Sequence, residues 1–286
     1  MKILLADPTG FCFGVKRAIK QLERALAEYG TVYSTGSPIH NPQEVARLEK
    51  QGLVVVSRFT EIPAGTAVFI RAHGVEPEAY AYLKGHDCKI IDGTCPFVKN
   101  AQEKAGLLEK EGYMVLIVGD TDHPEIKSIK GFVKGECHVV SSWQEASVYC
   151  GRNKIGLLSQ TTQDEDIFVK TVDKMIRCVK EVKVYNTICK ATVERQNAIR
   201  KLAERVDVVV VIGGRNSANT SRLFDIARSS GVKSFWIEHA EELDLSGLDG
   251  AEIVGIAAGA STPEWLINEV QILLSNLQVV KGDGKR

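Results

Sequence analysis

Apolar and polar positions along the chain fall into a pattern that is used three times. Each unit opens with an amphipathic helix. In the first, Val15, Ile19, Leu22 and Leu26 share one stripe, and in the second Val98, Ala101, Ala105 and Leu108 do the same. An apolar strand is predicted next, over Thr31–Ser34, Tyr113–Val118 and Val208–Ile212. Each strand runs into a polar loop: SPIHNPQE, DTDHPEIK and GRNSANTS. A second helix and a β-rich run follow (LVVVS, HVVSS, KSFWIEH). A third strand then enters another polar loop, in AVFIRAHG, KIGLLSQTT and IVGIAAGAS, which puts His73, Thr161–Thr162 and Ser261 at matching places.

The first two units close with short strands, KIIDGTCP and VKVYNTICK. The third has no such strand after its last helix, near Leu266–Leu274, and the N-terminal strand over residues 2–6 is expected to fill that place. Strands alternating with helices imply an α/β protein with mostly parallel sheets. The pattern predicts three similar small lobes around a pseudo-threefold axis. The first covers 13–95, the second 96–188, and the third 189–280, completed by residues 1–12. Residues 281–286 are expected to form a solvated tail.

Every unit opens at a cysteine: Cys12-FGVKRAIKQL, Cys95-PFVKNAQEKA and Cys189-KATVERQNAIRKL. From Cys12 to His40, from Cys95 to His123 and from Cys189 to Ser217 the distance is 28 residues each time. Chance recurrence of cysteine does not account for three equal spacings with matching helix openings. All of these landmarks follow strands, and parallel sheets take ligands at the carboxyl ends of their strands.

Composition narrows the chemistry. Over 286 residues, the 44% hydrophobic and 25% charged content is that of an ordinary globular protein. Basic and acidic residues balance at 36 each, so no bulk charge favours nucleic acid or an anionic membrane. No apolar run approaches the roughly 20 residues of a membrane span, and MKILLADPTGF is too short an apolar start for a signal peptide. A cytoplasmic protein is expected. Seven cysteines without CxxC argue against a disulfide framework or a local zinc ribbon. Cys88, Cys137, Cys150 and Cys178 read as small buried hydrophobes.

Three thiolates at one point are soft ligands suited to iron–sulfur or zinc. An iron–sulfur cube normally takes four cysteines, so one held by three would leave an iron with an open position. The polar loops supply His40, His73, His123, Glu125, Thr161, Thr162, Ser217, Asn219 and Ser261, a set dominated by neutral donors. Donors at helix starts suit an anion such as a diphosphate. No Walker A loop and no GxGxxG signals a nucleotide. Glu125 reads either as a general acid with a pKa raised by burial or as a carboxylate favouring a helix start. His86, His138 and His239 take structural readings.

The segments GFCFGVKRAI, GSPIHNPQEV, IRAHGV, DGTCPFV, GDTDHPEIKSIKG, SQTT, TICKATVERQ, GGRNSANTSRL and GAST resemble, in order and over essentially the whole chain, the LytB family of 4-hydroxy-3-methylbut-2-enyl diphosphate reductases. The resemblance implies an iron–sulfur oxidoreductase of three lobes around one 4Fe-4S cluster per chain. It would reductively remove the allylic hydroxyl of (E)-4-hydroxy-3-methylbut-2-enyl diphosphate. The products would be isopentenyl and dimethylallyl diphosphates, made in the last step of the non-mevalonate route. It also implies that Cys12, Cys95 and Cys189 hold the cluster with one open iron, and that His40, His73, Ser217, Asn219 and Ser261 clasp the diphosphate. His123 and Glu125 would serve protonation, and Thr161 or Thr162 would position the hydroxyl. A ferredoxin- or flavodoxin-type protein would deliver electrons. Where the family commonly has Asn-Ser-Ser-Asn, this chain has Ala218, whose contact must come from its backbone N–H. Two other readings are weighed: a zinc hydrolase or deaminase using His123-x-Glu125, which lacks the P-C-x-x-C partner, and a non-catalytic anion-binding scaffold.

Overall fold

The computed structural model describes residues 1–283. Strand β1 (Lys2–Leu5) is followed by α1 (Phe13–Tyr29), β2 (Val32–Thr35), α2 (Pro42–Glu49), β3 (Leu53–Val56), β4 (Ala67–Ile70), α3 (Pro77–Gly85) and β5 (Lys89–Asp92). The chain continues through α4 (Pro96–Lys110), β6 (Met114–Val118), α5 (Pro124–Lys130), β7 (Cys137–Val140), α6 (Trp143–Ala146), β8 (Lys154–Ser159), α7 (Glu165–Cys178) and β9 (Glu181–Val184). It ends with α8 (Lys190–Ala203), β10 (Val208–Ile212), α9 (Ala218–Ser229), β11 (Lys233–Ile237), β12 (Ile253–Ala258) and α10 (Glu264–Asp283). Helix α10 takes in the first three residues expected to form a tail, and residues 284–286 lie outside the described residues.

The strands make three four-stranded sheets of one topology: β3-β2-β4-β5, β7-β6-β8-β9 and β11-β10-β12-β1. All pairings are parallel. In the third sheet the outer place that β5 and β9 hold in the others goes to β1, with Ile3 opposite Val254. The order reverses direction between the first and third strands of each sheet. Those neighbours are β2 and β4, β6 and β8, and β10 and β12, and this is where doubly wound sheets bind ligands.

Contiguous apolar strands arise because helices cover both faces of a parallel sheet. In β6, Val115 and Ile117 pack with Ala101, Ala105, Leu108, Ile126 and Ile129 of α4 and α5. Its alternate residues Met114, Leu116 and Val118 pack with Phe168 and Met175 of α7. The third sheet repeats this: Val209 and Val211 face α8 and α9, and Val208, Val210 and Ile212 face α10. Close approach needs glycine at one matched place. A Cβ on Gly156 of β8 would lie 2.6 Å from Leu108, and one on Gly255 of β12 would lie 2.9 Å from Leu202.

Two compact units divide the chain. One comprises residues 1–13, 40–44 and those from Lys190 on, and carries the third sheet; the other comprises 14–39 and 45–189, and carries the first two sheets. Among the described residues no helix is long and apolar enough to cross a membrane.

Two of the four cysteines read as apolar filling are instead a pair, which corrects that expectation. Cys150 and Cys178 form a disulfide with their Cα atoms 5.0 Å apart. The turn after α6 and the last residue of α7 meet beside the core of the second sheet, a proximity that 28 residues of separation conceal. Cys137 keeps the apolar reading, its thiol pushed up to about 11 by burial.

Candidate active site

The three helix-opening cysteines share one backbone register. Cys95 N donates to Ala72 O at 2.9 Å, Cys189 N to Thr161 O at 2.9 Å, and Cys12 N to Ala260 O at 3.0 Å. Each acceptor belongs to the loop after the third strand of a sheet, directly before His73, Thr162 and Ser261 respectively. Thr162 rather than Thr161 therefore sits in line with His73 and Ser261. The three thiols are each partly exposed.

In the unit built on the third sheet, Ser217 caps α9, its Oγ accepting from Thr220 N at 3.3 Å. Ala218 is the first residue of that helix, so its amide is among the four without an intrahelical acceptor. Asn219 Oδ1 accepts from Ala260 N at 2.9 Å, and its Nδ2 is buried without a partner. Ser261 Oγ donates to His40 O at 2.9 Å, which joins the loop after β12 to the one after β2. Gly214 approaches the same carbonyl so closely that a Cβ would lie 2.6 Å from it. His40, Ser217, Asn219 and Ser261 are thus brought to one end of one sheet. His40 stands one residue earlier than its counterparts: Asn41 Oδ1 caps α2 by accepting from Glu44 N, whereas His123 and Ser217 are caps themselves.

The other unit holds His73, His123, Glu125, Thr161, Thr162, Cys95 and Cys189. The rings of His73 and His123 meet edge to face with centroids 5.4 Å apart. His123 caps α5 through Nδ1, which accepts from Glu125 N at 3.2 Å. Glu125 is only 2% exposed. Its carboxylate accepts from Thr161 N at 2.6 Å and from Thr161 Oγ1 at 2.8 Å. Burial pushes its pKa up to about 7; the two Thr161 bonds oppose that shift, and the charge of Asp120 adds to it. Such a carboxyl holds its proton near neutrality, the property a general acid needs. Thr162 Oγ1 accepts from Gln160 Nε2 at 2.8 Å.

Several supporting residues escaped the sequence reading. Arg195, 4% exposed within α8, donates to Gly10 O at 2.7 Å and so holds the loop that delivers Cys12. Arg17 Nη1 donates to Thr94 O at 3.1 Å, beside Cys95. Gln102 Nε2 donates to Ser128 Oγ at 2.6 Å, tying α4 to α5. Arg195 and Gln102 were visible in principle, since each is a polar residue within the apolar stripe of its helix. Side-chain hydrogen bonds also explain the histidines given structural readings: His86 with Tyr82 O, His138 with Glu136, and His239 with Glu241.

A family model described as LytB protein matches residues 3–275. The 4-hydroxy-3-methylbut-2-enyl diphosphate reductase of Aquifex aeolicus is 44% identical over 273 residues, 94% of each chain. That of Syntrophotalea carbinolica is 43% identical, covering 97% of this chain and 99% of the relative. A solved structure of (E)-4-hydroxy-3-methyl-but-2-enyl diphosphate reductase, the terminal enzyme of the non-mevalonate pathway, matches with TM-score 0.70 at 42% identity, over 96% of this chain and all of that one. The E-1-hydroxy-2-methyl-but-2-enyl-4-diphosphate reductase structure from Plasmodium falciparum matches with TM-score 0.89 at 26% identity, over 96% and 87%.

Proposed function

The chain belongs to the LytB family, and from that premise we propose that it reduces (E)-4-hydroxy-3-methylbut-2-enyl diphosphate to isopentenyl and dimethylallyl diphosphates. The overall change consumes two electrons and two protons and releases water. The observation that carries the chemistry is the buried carboxyl of Glu125, protonatable near neutral pH and gripped by Thr161.

Three thiols in one backbone register make a soft donor set, which fits a 4Fe-4S cluster held by Cys12, Cys95 and Cys189. When bound, that cluster supplies the electrons and, with three protein ligands for four irons, a Lewis-acidic iron at the substrate hydroxyl.

The remaining roles fall to the chain's own residues. His40, His73, Ser217, Asn219, Ser261 and the Ala218 amide bind the diphosphate. The free Nδ2 hydrogens of Asn219 and the unbonded amides of the first turn of α9 are suited to anionic oxygens. His123 offers Nε2 to the substrate. Glu125 donates the proton that lets the carbon–oxygen bond break and water leave, and Thr161 orients the acid. A second proton added at either end of the allylic fragment gives the two products. The electron donor, a small ferredoxin- or flavodoxin-type carrier, and a cytoplasmic location belong to the same proposal. The zinc reading of His123-x-Glu125 is set aside, because the P-C-x-x-C partner is missing from the sequence and His123 Nδ1 is engaged by Glu125 N.

Anaerobically purified protein tests this reading. Equal iron and sulfide, a broad visible absorbance and dithionite-dependent conversion of the substrate to both products are expected. Colourless, zinc-containing or inactive protein would overturn it.

A further inference from the structure

At the carboxyl ends of β2, β3 and β4 the first sheet opens into a cavity of about 520 Å³ that none of the residues assigned to the reaction lines. Thr35, the last residue of β2, is 8% exposed, and its Oγ1 is buried without a partner. Arg71, the first residue after β4, has an equally buried and unpartnered Nε. Its guanidinium lies against Gly36, where a Cβ would stand 2.7 Å from Nη1. These two unsatisfied donors flank the point where the strand order of this sheet reverses. A buried donor without an acceptor is destabilising, so both favour an acceptor brought by a ligand.

The second sheet shows what the same place looks like when closed. Gln160 follows β8 as Arg71 follows β4, and both ends of its amide are used: Oε1 accepts from Asp120 N and Nε2 donates to Thr162. In the first sheet a cation replaces that amide and lines the cavity.

The rest of the lining sets the ligand's chemistry. Arg58 and Lys127 stand exposed at the rim, so three cations oppose the one lining carboxylate, Glu76. The rim cations have only exposed partners, Glu61 at 3.0 Å and Asp122 at 4.0 Å, pairs of little strength that an anion can displace. Phe59, Val75 and Ala79 add apolar wall, and the volume is that of a small-molecule site. We propose that this cavity is a second anion site, which takes a phosphate or diphosphate group carrying a short apolar substituent. Its walls continue the loops of the reaction site. Val75 follows His73 by two residues, Pro124 follows His123 directly, and Ser128 Oγ donates to Val75 O at 3.2 Å. The inference stands apart from the assigned reaction, because its test counts bound anions.

Calorimetric titration of the anaerobic holoenzyme with inorganic diphosphate, and separately with dimethylallyl diphosphate, is the experiment. Two equivalents per chain are expected. Thr35→Val and Arg71→Met each weaken one of them at least tenfold and leave the other intact, while Lys127→Met, at an exposed position that carries no folding risk, weakens the same one severalfold. Dimethylallyl diphosphate should bind this site at least threefold more tightly than inorganic diphosphate; equal affinities would overturn the apolar part of the proposal. Bound anion that is indifferent to all three substitutions, whether one equivalent or two, would overturn the site; a single equivalent weakened by them would keep the site and count against the reaction site instead.

Discussion

Glu125 and Thr161 are joined twice, the carboxylate accepting from both the main-chain amide and the hydroxyl of the same residue, 36 positions away. Glu125→Gln keeps the shape but removes the transferable proton. General acid catalysis is typically worth about 10²–10⁴-fold, so single-turnover reduction with excess dithionite should slow by that order while iron content is retained. Rates near those of the unaltered enzyme would assign the proton to another source.

The acid role proposed for this carboxyl predicts a pH-dependent turnover. It is protonated, and competent as an acid, below its pKa of about 7, so kcat should fall as pH rises through that value. The Thr161 hydroxyl bond lowers this pKa, so its removal in Thr161→Val should shift the falling limb upward. A pH–rate profile of the two enzymes decides the direction.

Stability follows the same proton. The folded pKa lies above the unfolded one near 4.5, so the proton favours the folded state. That contribution is full below about pH 4.5 and is lost as pH rises through about 7. By linkage it is on the order of 3 kcal/mol. The thermal midpoint should therefore decline over this window in the unaltered chain and change less in Glu125→Gln; parallel curves would show that the group is not buried as a neutral acid.

Replacing Cys12, Cys95 or Cys189 by Ser should abolish the chromophore and turnover, because the proposed cluster needs thiolate ligands. Cys88→Ser and Cys178→Ser should keep both, the latter with lower stability because it opens the bridge to Cys150. Iron analysis beside visible absorbance separates the two groups.

Asn219→Ala removes the unpartnered Nδ2 and the bond to Ala260 N, and Ser217→Ala removes the cap of α9. Both should raise KM more than they lower kcat. Ser217→Ala should also cost about 0.5–2 kcal/mol of stability, measurable in a denaturant titration.

Much of this architecture could be read from residue order. Apolar runs such as Val208–Ile212 and the 28-residue spacing gave three like sheets, and the missing closing strand of the third repeat pointed to residues 2–6, of which Lys2–Leu5 form β1. What stayed hidden depends on side-chain partners distant in sequence. The different surroundings of Thr161 and Thr162 arise from one backbone bond to Cys189 and two bonds to Glu125, all made by Thr161. Cys150 and Cys178 looked like apolar filling because composition carries no pairing. Arg71, two residues before His73, carries no signal in the sequence, since a lone arginine acquires meaning only when its surroundings leave Nε without an acceptor.

The position of β1 sets a timetable for synthesis. Ile3 lies opposite Val254, 251 residues further along the chain, so β1 leaves the ribosome long before the strand it pairs with. At about 5–20 residues per second, that interval is on the order of ten to fifty seconds. Throughout it, the apolar segment Ile3–Leu5 and the later cysteine loop that hangs from it have no sheet to join. The third sheet is therefore completed only late in synthesis, while the first two sheets, whose strands are all neighbours in sequence, can close as they emerge.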